Sequence, residues 1–154
     1  MTKISPIIIA GLLLISCGNN EKEQAEQLLQ EARVHLEQGQ LDEARADIDS
    51  LRKTFPNIVK ARKEALKLHQ EIELKAAQEE MTRTDSLLQL ANKKLEALQK
   101  EVEEHKAALK ATPEELTLLT RTRIWRDSIR TQFETLGAKI HYIRQKQKEA
   151  ENDK

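Results

Sequence analysis

The sequence predicts an all-α fold, and three of its properties support this prediction. Glycine and proline are scarce, with four and three among 154 residues. Charged residues make up 34% of the chain and aromatic residues 3%, a composition that suits long helices with narrow apolar seams better than a large globular core. Apolar residues also recur at steps of three and four over long stretches, which places them on one face of a helix. We expect a short pair of helices packed on a long helix that continues into an antiparallel coiled-coil hairpin.

Residues 1–16 have the features of a secretory signal peptide. Lys3 supplies a positive charge, and a largely apolar run follows from Ile4 to Ile15. As a helix this run spans about 18 Å, which is short of the roughly 30 Å of hydrocarbon in a bilayer. A charged start, a short apolar segment and a small residue such as Ser16 are typical of a signal that is cleaved off.

The single cysteine of the chain follows this segment directly. The sequence Leu14-Ile15-Ser16-Cys17 resembles the lipobox of bacterial lipoproteins at each of its four positions. The resemblance implies cleavage between Ser16 and Cys17 and attachment of lipid, palmitate included, at Cys17. Two or more acyl chains make a stable anchor, and a lone cysteine has no disulfide partner within its own chain. The alternative is a buried or unmodified cysteine in an ordinary signal or anchor segment.

The same resemblance implies a location in the cell envelope. Gly18 stands where enterobacterial lipoproteins retained in the inner membrane carry Asp, so we expect the outer membrane. Residues 17–20 are interpreted as the lipidated cysteine and a short tether. Glu21 and Glu23 form a sparse acidic cluster, similar to one carried by some surface lipoproteins of Bacteroidetes. The periplasmic face and the cell surface both remain open.

Two amphipathic helices are expected after the tether. Asn20 and Glu23 have the spacing of a capping box at the start of the first helix, and Gly39 is placed to end it. Asp42 is a candidate cap for the second helix. Pro56 forces the residue before it out of helical geometry, so the second helix is expected to end there.

This helical pair resembles one unit of the tetratricopeptide repeat. The positions that match the repeat are Gly39, Leu41, Ala44, Ile48, Leu51 and Pro56. The chain departs from the family pattern in having Leu51 where alanine is usual, and in lacking an aromatic residue early in its first helix. A single unit cannot bury its apolar face alone, so the next helix is expected to cover it. We assign residues 21–72 to this region, and the resemblance implies a protein-binding role.

A long helix of roughly 80 Å is expected from Asn57 to Lys110, because neither glycine nor proline interrupts that stretch. Its apolar stripe has two phases, and a change of phase implies a change of packing partner. The first phase comprises Ile58, Ala61, Ala65, Leu68 and Ile72. The second comprises Leu74, Ala77, Met81, Thr84, Leu88, Ala91, Leu95, Leu98, Val102, His105 and Leu109. Its strict alternation of three and four is typical of a coiled-coil seam.

A last helix is expected from Pro113, a residue that suits the first helical position. Thr112 and Glu115 have the spacing of a capping box. The apolar stripe of this helix comprises Leu119, Thr122, Arg126, Ile129, Phe133, Leu136, Ile140 and Ile143. If the helix ends near Glu149 and folds back, that end is expected opposite about residue 74. Residues 73–150 are therefore predicted to form the antiparallel hairpin.

The sequence predicts no catalytic, metal or cofactor site. The histidines His35, His69, His105 and His141 are isolated from one another, without the close pair that a helical zinc site needs. His105 is interpreted as a polar position tolerated in the seam. The carboxylates are expected on solvated helix faces, and lipidation leaves no free thiol. We therefore predict a protein that is not an enzyme, with neither a small-molecule substrate nor a nucleic-acid partner.

Two features of the sequence, the basic charge near the C-terminus and the single tryptophan, each have a binding and a non-binding interpretation. Nine acidic and three basic side chains lie in residues 21–50, against two acidic and eight basic in residues 121–148. The basic end is either a solvated face or a surface for a polyanion such as lipopolysaccharide. Trp125, with Arg123 and Arg126, is either a contact patch for a partner or a side chain that flanks the seam and widens the helix packing.

The predicted function is that of a non-enzymatic envelope lipoprotein that presents a helical scaffold. Its partner is expected to be another envelope protein or a second copy of the same chain. The alternative is a structural spacer that contacts peptidoglycan or lipopolysaccharide through its basic helix. The far end of the hairpin, around Ala111 to Trp125, is where the partner of the scaffold is expected.

Overall fold

A computed structural model of the chain describes residues 17–152, so the predicted signal peptide of residues 1–16 falls outside the described part. The described chain forms four α-helices and contains no β-strand. They are α1 (Cys17–Glu37), α2 (Leu41–Thr54), α3 (Val59–Ala107) and α4 (Pro113–Asn152). The prediction of an all-α fold with a long helix and a following helix packed on it is confirmed. No helix within residues 17–152 combines the length and the apolar character needed to cross a membrane.

The described chain divides into two compact units, and the division falls inside α3. The first unit extends to His69 and the second begins at Gln70. The first therefore contains α1, α2 and the start of α3, and the second contains the rest of α3 with α4.

The start of α1 differs from the expected one. The helix begins at Cys17, so the residues expected to form a tether are helical, and the cap expected at Asn20 is wrong. Oδ1 of Asn20 instead accepts a hydrogen bond of 3.0 Å from Nε2 of Gln24, one turn further on. Residues 17–20 contain no proline that would prevent the helix from beginning before Asn20.

The turn between α1 and α2 has the geometry that its glycine predicts. Gly39 has φ +78°, a conformation that side chains with a Cβ disfavour. The amide of Gln40 donates to the carbonyl of His35 at 2.8 Å, and the amide of Gly39 donates to the carbonyl of Leu36 at 3.2 Å. These two bonds form a Schellman motif, which satisfies the last free carbonyls of α1. The expected cap at Asp42 is wrong, because α2 already begins at Leu41.

The core of the first unit is built largely from small side chains. Its buried apolar residues are Ala25, Leu29, Ala32, Ala44, Ile48, Leu51, Phe55, Ala61, Ala65 and Leu68. Half of them are alanines, which let helix axes approach closely. A hydrogen-bonded pair, His35 Nδ1 and Asp47 Oδ2 at 2.7 Å, joins α1 to α2. Arg33 and Glu64, with Nη2 and Oε2 3.7 Å apart, join α1 to α3.

The second unit is an antiparallel pair of helices with a seam along its length. Near the turn, Leu95, Val102 and Leu119 form a buried cluster with Leu98 against it. Further from the turn, Ala77, Leu136 and Ile140 form another, with Leu74 and Met81 against it. Every predicted stripe residue of α4 is buried or half-buried, as is every predicted seam residue of α3 except Leu109. The alternating pattern therefore predicts the packed faces of both helices.

The register of the hairpin differs from the expected one. Nζ of Lys139 donates to Oε2 of Glu73 at 2.7 Å, and Leu136 and Ile140 pack on Ala77, so this part of α3 lies opposite residues near Ile140 rather than near Glu149. The expected register assumed that residues at equal distances from the turn lie opposite one another. The observed register is determined by which seam side chains interlock, here Leu136 and Ile140 with Ala77. Consequently α4 continues for about three and a half turns beyond Lys139, to Asn152.

The turn between α3 and α4 is capped on both sides. On the α4 side, the amide of Thr112 donates to Oε2 of Glu115 at 2.9 Å, and the amide of Glu115 donates to Oγ1 of Thr112 at 3.2 Å. This reciprocal pair confirms the predicted capping box. On the α3 side, the amide of Lys110 donates to the carbonyl of His105 and that of Leu109 to the carbonyl of Lys106. This is a second Schellman motif, with Leu109 in the position where glycine is usual.

Leu109 was expected in the seam, and that expectation is wrong. Its side chain is 95% exposed, because α3 ends at Ala107 and the turn carries Leu109 away from the interface. Its φ is +57°, a left-handed conformation that costs a leucine about 1–2 kcal/mol. The seam of α3 therefore ends at His105, one seam residue earlier than predicted.

We expect the substitution Leu109→Gly to stabilise the hairpin by about 1 kcal/mol, since glycine adopts the left-handed conformation without a Cβ clash. Urea unfolding followed by circular dichroism measures the effect as a higher midpoint. Ala108→Gly is the matched control: it adds the same flexible residue one position earlier, where φ is not positive, and is expected to give no increase. An equal or greater stabilisation by Ala108→Gly would show that strain at Leu109 is not the cause.

Candidate interaction site

One edge of the hairpin can be traced from two polar pairs between its helices. Glu73 pairs with Lys139, and Glu80 accepts a hydrogen bond of 2.9 Å from Nε2 of Gln132. In each helix the two members are seven residues apart, so they occupy equivalent positions beside the seam. Positions that continue these seven-residue steps toward the turn lie on the same edge. They are Leu87, Lys94 and Glu101 on α3, and Trp125 and Leu118 on α4.

This edge carries a group of exposed apolar side chains, which we call the apolar edge. It consists of Leu87, Leu90, Leu118 and Trp125, which are 49%, 57%, 46% and 40% exposed. Leu90 belongs to it because residues three and four apart share a helix face, and Leu90 lies between Leu87 and Lys94. Exposed apolar residues that occur singly need no explanation, whereas a contiguous group is typical of an interaction site.

Trp125 is the central residue of the apolar edge. Nζ of Lys94 lies 6.0 Å from the centroid of its ring, within the range of a cation–π interaction. The contact joins the indole to α3, and the tryptophan is still 40% exposed. Trp125 therefore both packs on its neighbouring helix and remains available to a partner.

The other two residues of the predicted contact patch lie elsewhere. Arg123 is exposed, but two helical positions correspond to a rotation of about 200°, so it lies on the opposite side of α4 from Trp125. Arg126 is half-buried in the seam, with its Nε 2.8 Å from Oδ1 of Asp127 in an ion pair that lacks the alignment of a hydrogen bond. The neighbours of Trp125 come instead from α3.

Much of the basic charge of α4 is paired with carboxylates. Arg130 pairs with Glu134, Lys146 with Glu149 and Lys139 with Glu73 on α3. The pairing of Lys146 raises its pKa, since the charged form donates to Glu149. Ion pairs at exposed positions contribute little to stability, but they reduce the positive potential that a polyanion would meet. This pairing favours the interpretation of a solvated face.

At the end of the hairpin the structure brings together residues that the sequence analysis kept apart. Nδ1 of His105 lies 2.7 Å from Oε1 of Glu115, across the turn. The backbone amide of Thr112 and the ring of His105 both hold the pKa of Glu115 below its usual value, because each stabilises the carboxylate. Glu101, one turn before His105, brings a second carboxylate to the same place.

The residues of the repeat-like motif lie in the first unit. Ala44, Ile48 and Leu51 are buried on α2, Leu41 is half-buried at its start, and Pro56 is exposed just beyond its end. Between α1 and α3 there is an open groove lined by both charges, with Lys22 and Arg33 beside Glu26 and Glu64. Because the lining combines positive and negative side chains, it does not indicate one class of ligand.

The predicted lipidation site lies at the edge of the described chain. Cys17 is the first residue of α1, while the placement of its side chain and of Ser16 is not among the described features. Comparison with known proteins adds no assignment to any of these sites. No family model matches the sequence, and neither a curated protein nor a solved structure matches it.

Proposed function

We propose that this protein is a lipid-anchored, non-enzymatic scaffold of the cell envelope that binds a helix of another protein along the apolar edge. The observation that carries the proposal is the group of four exposed apolar side chains on one edge of the hairpin. Ile124 is also exposed but lies on the outer side of α4, and Tyr142, three residues from Lys139, lies on the same edge but seventeen residues from Trp125. A partner that covered the edge would remove apolar surface from water, at about 25 cal/mol per Å².

The spacing of the apolar edge favours a helical partner. Leu87 and Leu90 are three residues apart, and Leu118 and Trp125 are seven apart on the antiparallel neighbour. Two such rows leave a groove between them, and a third amphipathic helix can lay its own apolar row into it. Lys94 lies in the middle of the edge, with Glu101 seven residues nearer the turn and Glu80 fourteen residues away in the other direction. An acidic residue at the centre of the partner helix, with basic residues towards its ends, would match this pattern.

The anchoring part of the proposal depends on the lipobox resemblance. Leu14-Ile15-Ser16-Cys17 would give an acylated Cys17 at the start of α1, in the outer membrane by the same resemblance. Along the chain, the tetratricopeptide-like helices follow Cys17 and precede the hairpin. A second copy of the chain is the other occupant considered for the apolar edge, and the experiment below distinguishes the two.

Site-specific crosslinking in living cells tests the proposal. A photo-crosslinking amino acid at Leu90 is expected to trap one defined protein in the envelope, whose mass distinguishes a foreign partner from a second copy. The same amino acid at Ile124 is the matched control, since Ile124 is 63% exposed but lies on the outer side of α4. Equal products from both positions, or none from Leu90, would contradict the proposal. Crosslinks to peptidoglycan alone would support the spacer function instead.

We expect Trp125→Ala to reduce the yield of the Leu90 crosslink by at least about tenfold, because a buried tryptophan at the centre of an interface typically contributes 2 kcal/mol or more. Ile124→Ala is expected to leave the yield unchanged. Circular dichroism checks that both variants keep the helix content of the unmodified protein. An unchanged yield with Trp125→Ala would place the contact elsewhere on the hairpin.

A further inference from the structure

The end of the hairpin carries the one group of three potential metal ligands found among the described residues, namely Glu101, His105 and Glu115. One ligand atom from each, an imidazole nitrogen or a carboxylate oxygen, lies within 4.8 Å of the others. Two of the residues are on α3, and the third is on α4. The fold therefore assembles the group only when the hairpin is closed.

Each of the three side chains has a structural reason to point toward this place. Glu101 and His105 are four residues apart on α3, a spacing that puts two side chains on one helix face. Glu115 is fixed by the capping box, in which its Oε2 accepts from the amide of Thr112 at 2.9 Å. Its Oε1 is then directed at His105, with 2.7 Å to Nδ1. Two of the three candidate ligands are thus oriented before any ion is present.

The distances suit a first-row divalent ion after a small adjustment. Ligand bonds of about 2.0–2.1 Å, as zinc forms with nitrogen and oxygen, place neighbouring ligands of a tetrahedron about 3.3 Å apart. Nδ1 of His105 and Oε1 of Glu115 would have to separate by roughly half an ångström from their 2.7 Å. The ion would replace the proton that the two atoms share. Glu101, which is exposed, can approach by a change of side-chain rotamer.

We propose that Glu101, His105 and Glu115 bind a divalent transition-metal ion, for which Zn²⁺ is the probe, at the end of the hairpin. Imidazole combined with carboxylate favours such an ion over Ca²⁺ or Mg²⁺, which take oxygen ligands alone. Water would complete the coordination, since the chain supplies three ligands. The ion joins α3 to α4 beside the turn that contains the strained Leu109, and so holds the end of the hairpin closed.

Calorimetric titration with zinc sulfate tests this site. The full chain is used without a histidine tag, in detergent and with Cys17→Ser as background, so that the thiol cannot bind the ion. We expect saturable binding of one ion per chain and a higher Tm in its presence, because an ion that binds only the folded state stabilises it. An excess of Ca²⁺ or Mg²⁺ is not expected to displace it.

Three variants assign the ion to its ligands. His105→Asn, Glu101→Gln and Glu115→Gln are each expected to weaken the binding of Zn²⁺ by about tenfold or more, since each removes one of three ligands. Glu115→Gln keeps a residue that serves in a capping box, so the loss of binding is separable from loss of the helix start. His141→Asn and Glu104→Gln, which change the same residue types outside the group, are expected to bind as the parent does.

The proposal is overturned by either of two results. One is the absence of saturable binding at zinc concentrations up to about 1 mM, a weaker affinity than a three-ligand site should give. The other is binding that survives all three ligand variants, which would assign the ion to scattered surface carboxylates. Circular dichroism of each variant, recorded without zinc, establishes that the helices remain formed.

Discussion

Replacing Cys17 with serine is expected to abolish lipid attachment and to release the protein from the membrane. The chain contains one cysteine, so no other thiol can accept the lipid. An acyl chain contributes about 0.8 kcal/mol for each CH₂ that it buries, so a chain without any acyl group lacks this attachment altogether. The expected effect is therefore a complete loss rather than a graded one. Metabolic labelling with palmitate and separation of membrane from soluble fractions measure the two consequences.

Ser16→Ala is the matched control for this experiment. It changes the residue next to Cys17 but keeps a small side chain before the cleavage point, as the lipobox pattern requires. We expect palmitate labelling and membrane attachment to remain as in the unmodified protein. Labelling of the Cys17→Ser chain at the same level would show that the resemblance to a lipobox is misleading, and the anchoring part of the proposed function would then be wrong.

Much of the fold follows from local signals that the sequence displays openly. Gly39 ends α1 because its φ of +78° is available to glycine at little cost. Thr112 and Glu115 begin α4 because each satisfies the other's backbone amide. Such signals involve residues at most a few positions apart, so reading along the chain can find them.

The errors arise where local signals compete or where distant residues determine the result. Asn20 has the right residue type and spacing for a cap, but nothing before it prevents the helix from beginning at Cys17. Leu109 continues the alternating pattern, yet the Schellman motif two positions after Ala107 takes it out of the seam. The hairpin register depends on how side chains from two helices interlock, which counting from the turn does not capture.

The candidate sites could be predicted only in part for the same reason. Trp125 is recognisable in the sequence, but its neighbours Leu87 and Leu90 are found only once the register of the hairpin is known. A search for histidine pairs within one helix overlooks His105, whose closest partner is Glu115 across the turn. The seven-residue steps of the edge, and the four-residue step from Glu101 to His105, are the signals in the sequence that could have indicated these groups.

The largest effect on stability is expected from Leu95→Asp. Leu95 is 5% exposed and belongs to the buried cluster with Val102 and Leu119. Removing a buried leucine side chain costs about 2–5 kcal/mol, and an unpaired carboxylate in its place adds a desolvation cost. Together these approach the total stability of about 4–12 kcal/mol expected for a segment of this length. We therefore expect the hairpin to open, with α4 and the adjoining part of α3 losing much of their helix.

Limited trypsin digestion of the Leu95→Asp chain shows which unit has opened. Rapid cleavage is expected at the lysines and arginines of α4, because an open hairpin exposes the backbone to the protease. Residues 20–69 are expected to stay protected, since none of the buried side chains of the first unit is altered. Ala97→Asp introduces the same charge at an exposed position in the same turn of helix, and should leave the digestion pattern of the parent. If residues 20–69 are cut as fast as α4, the two units unfold as one, and the change of phase in α3 does not mark a change of packing partner.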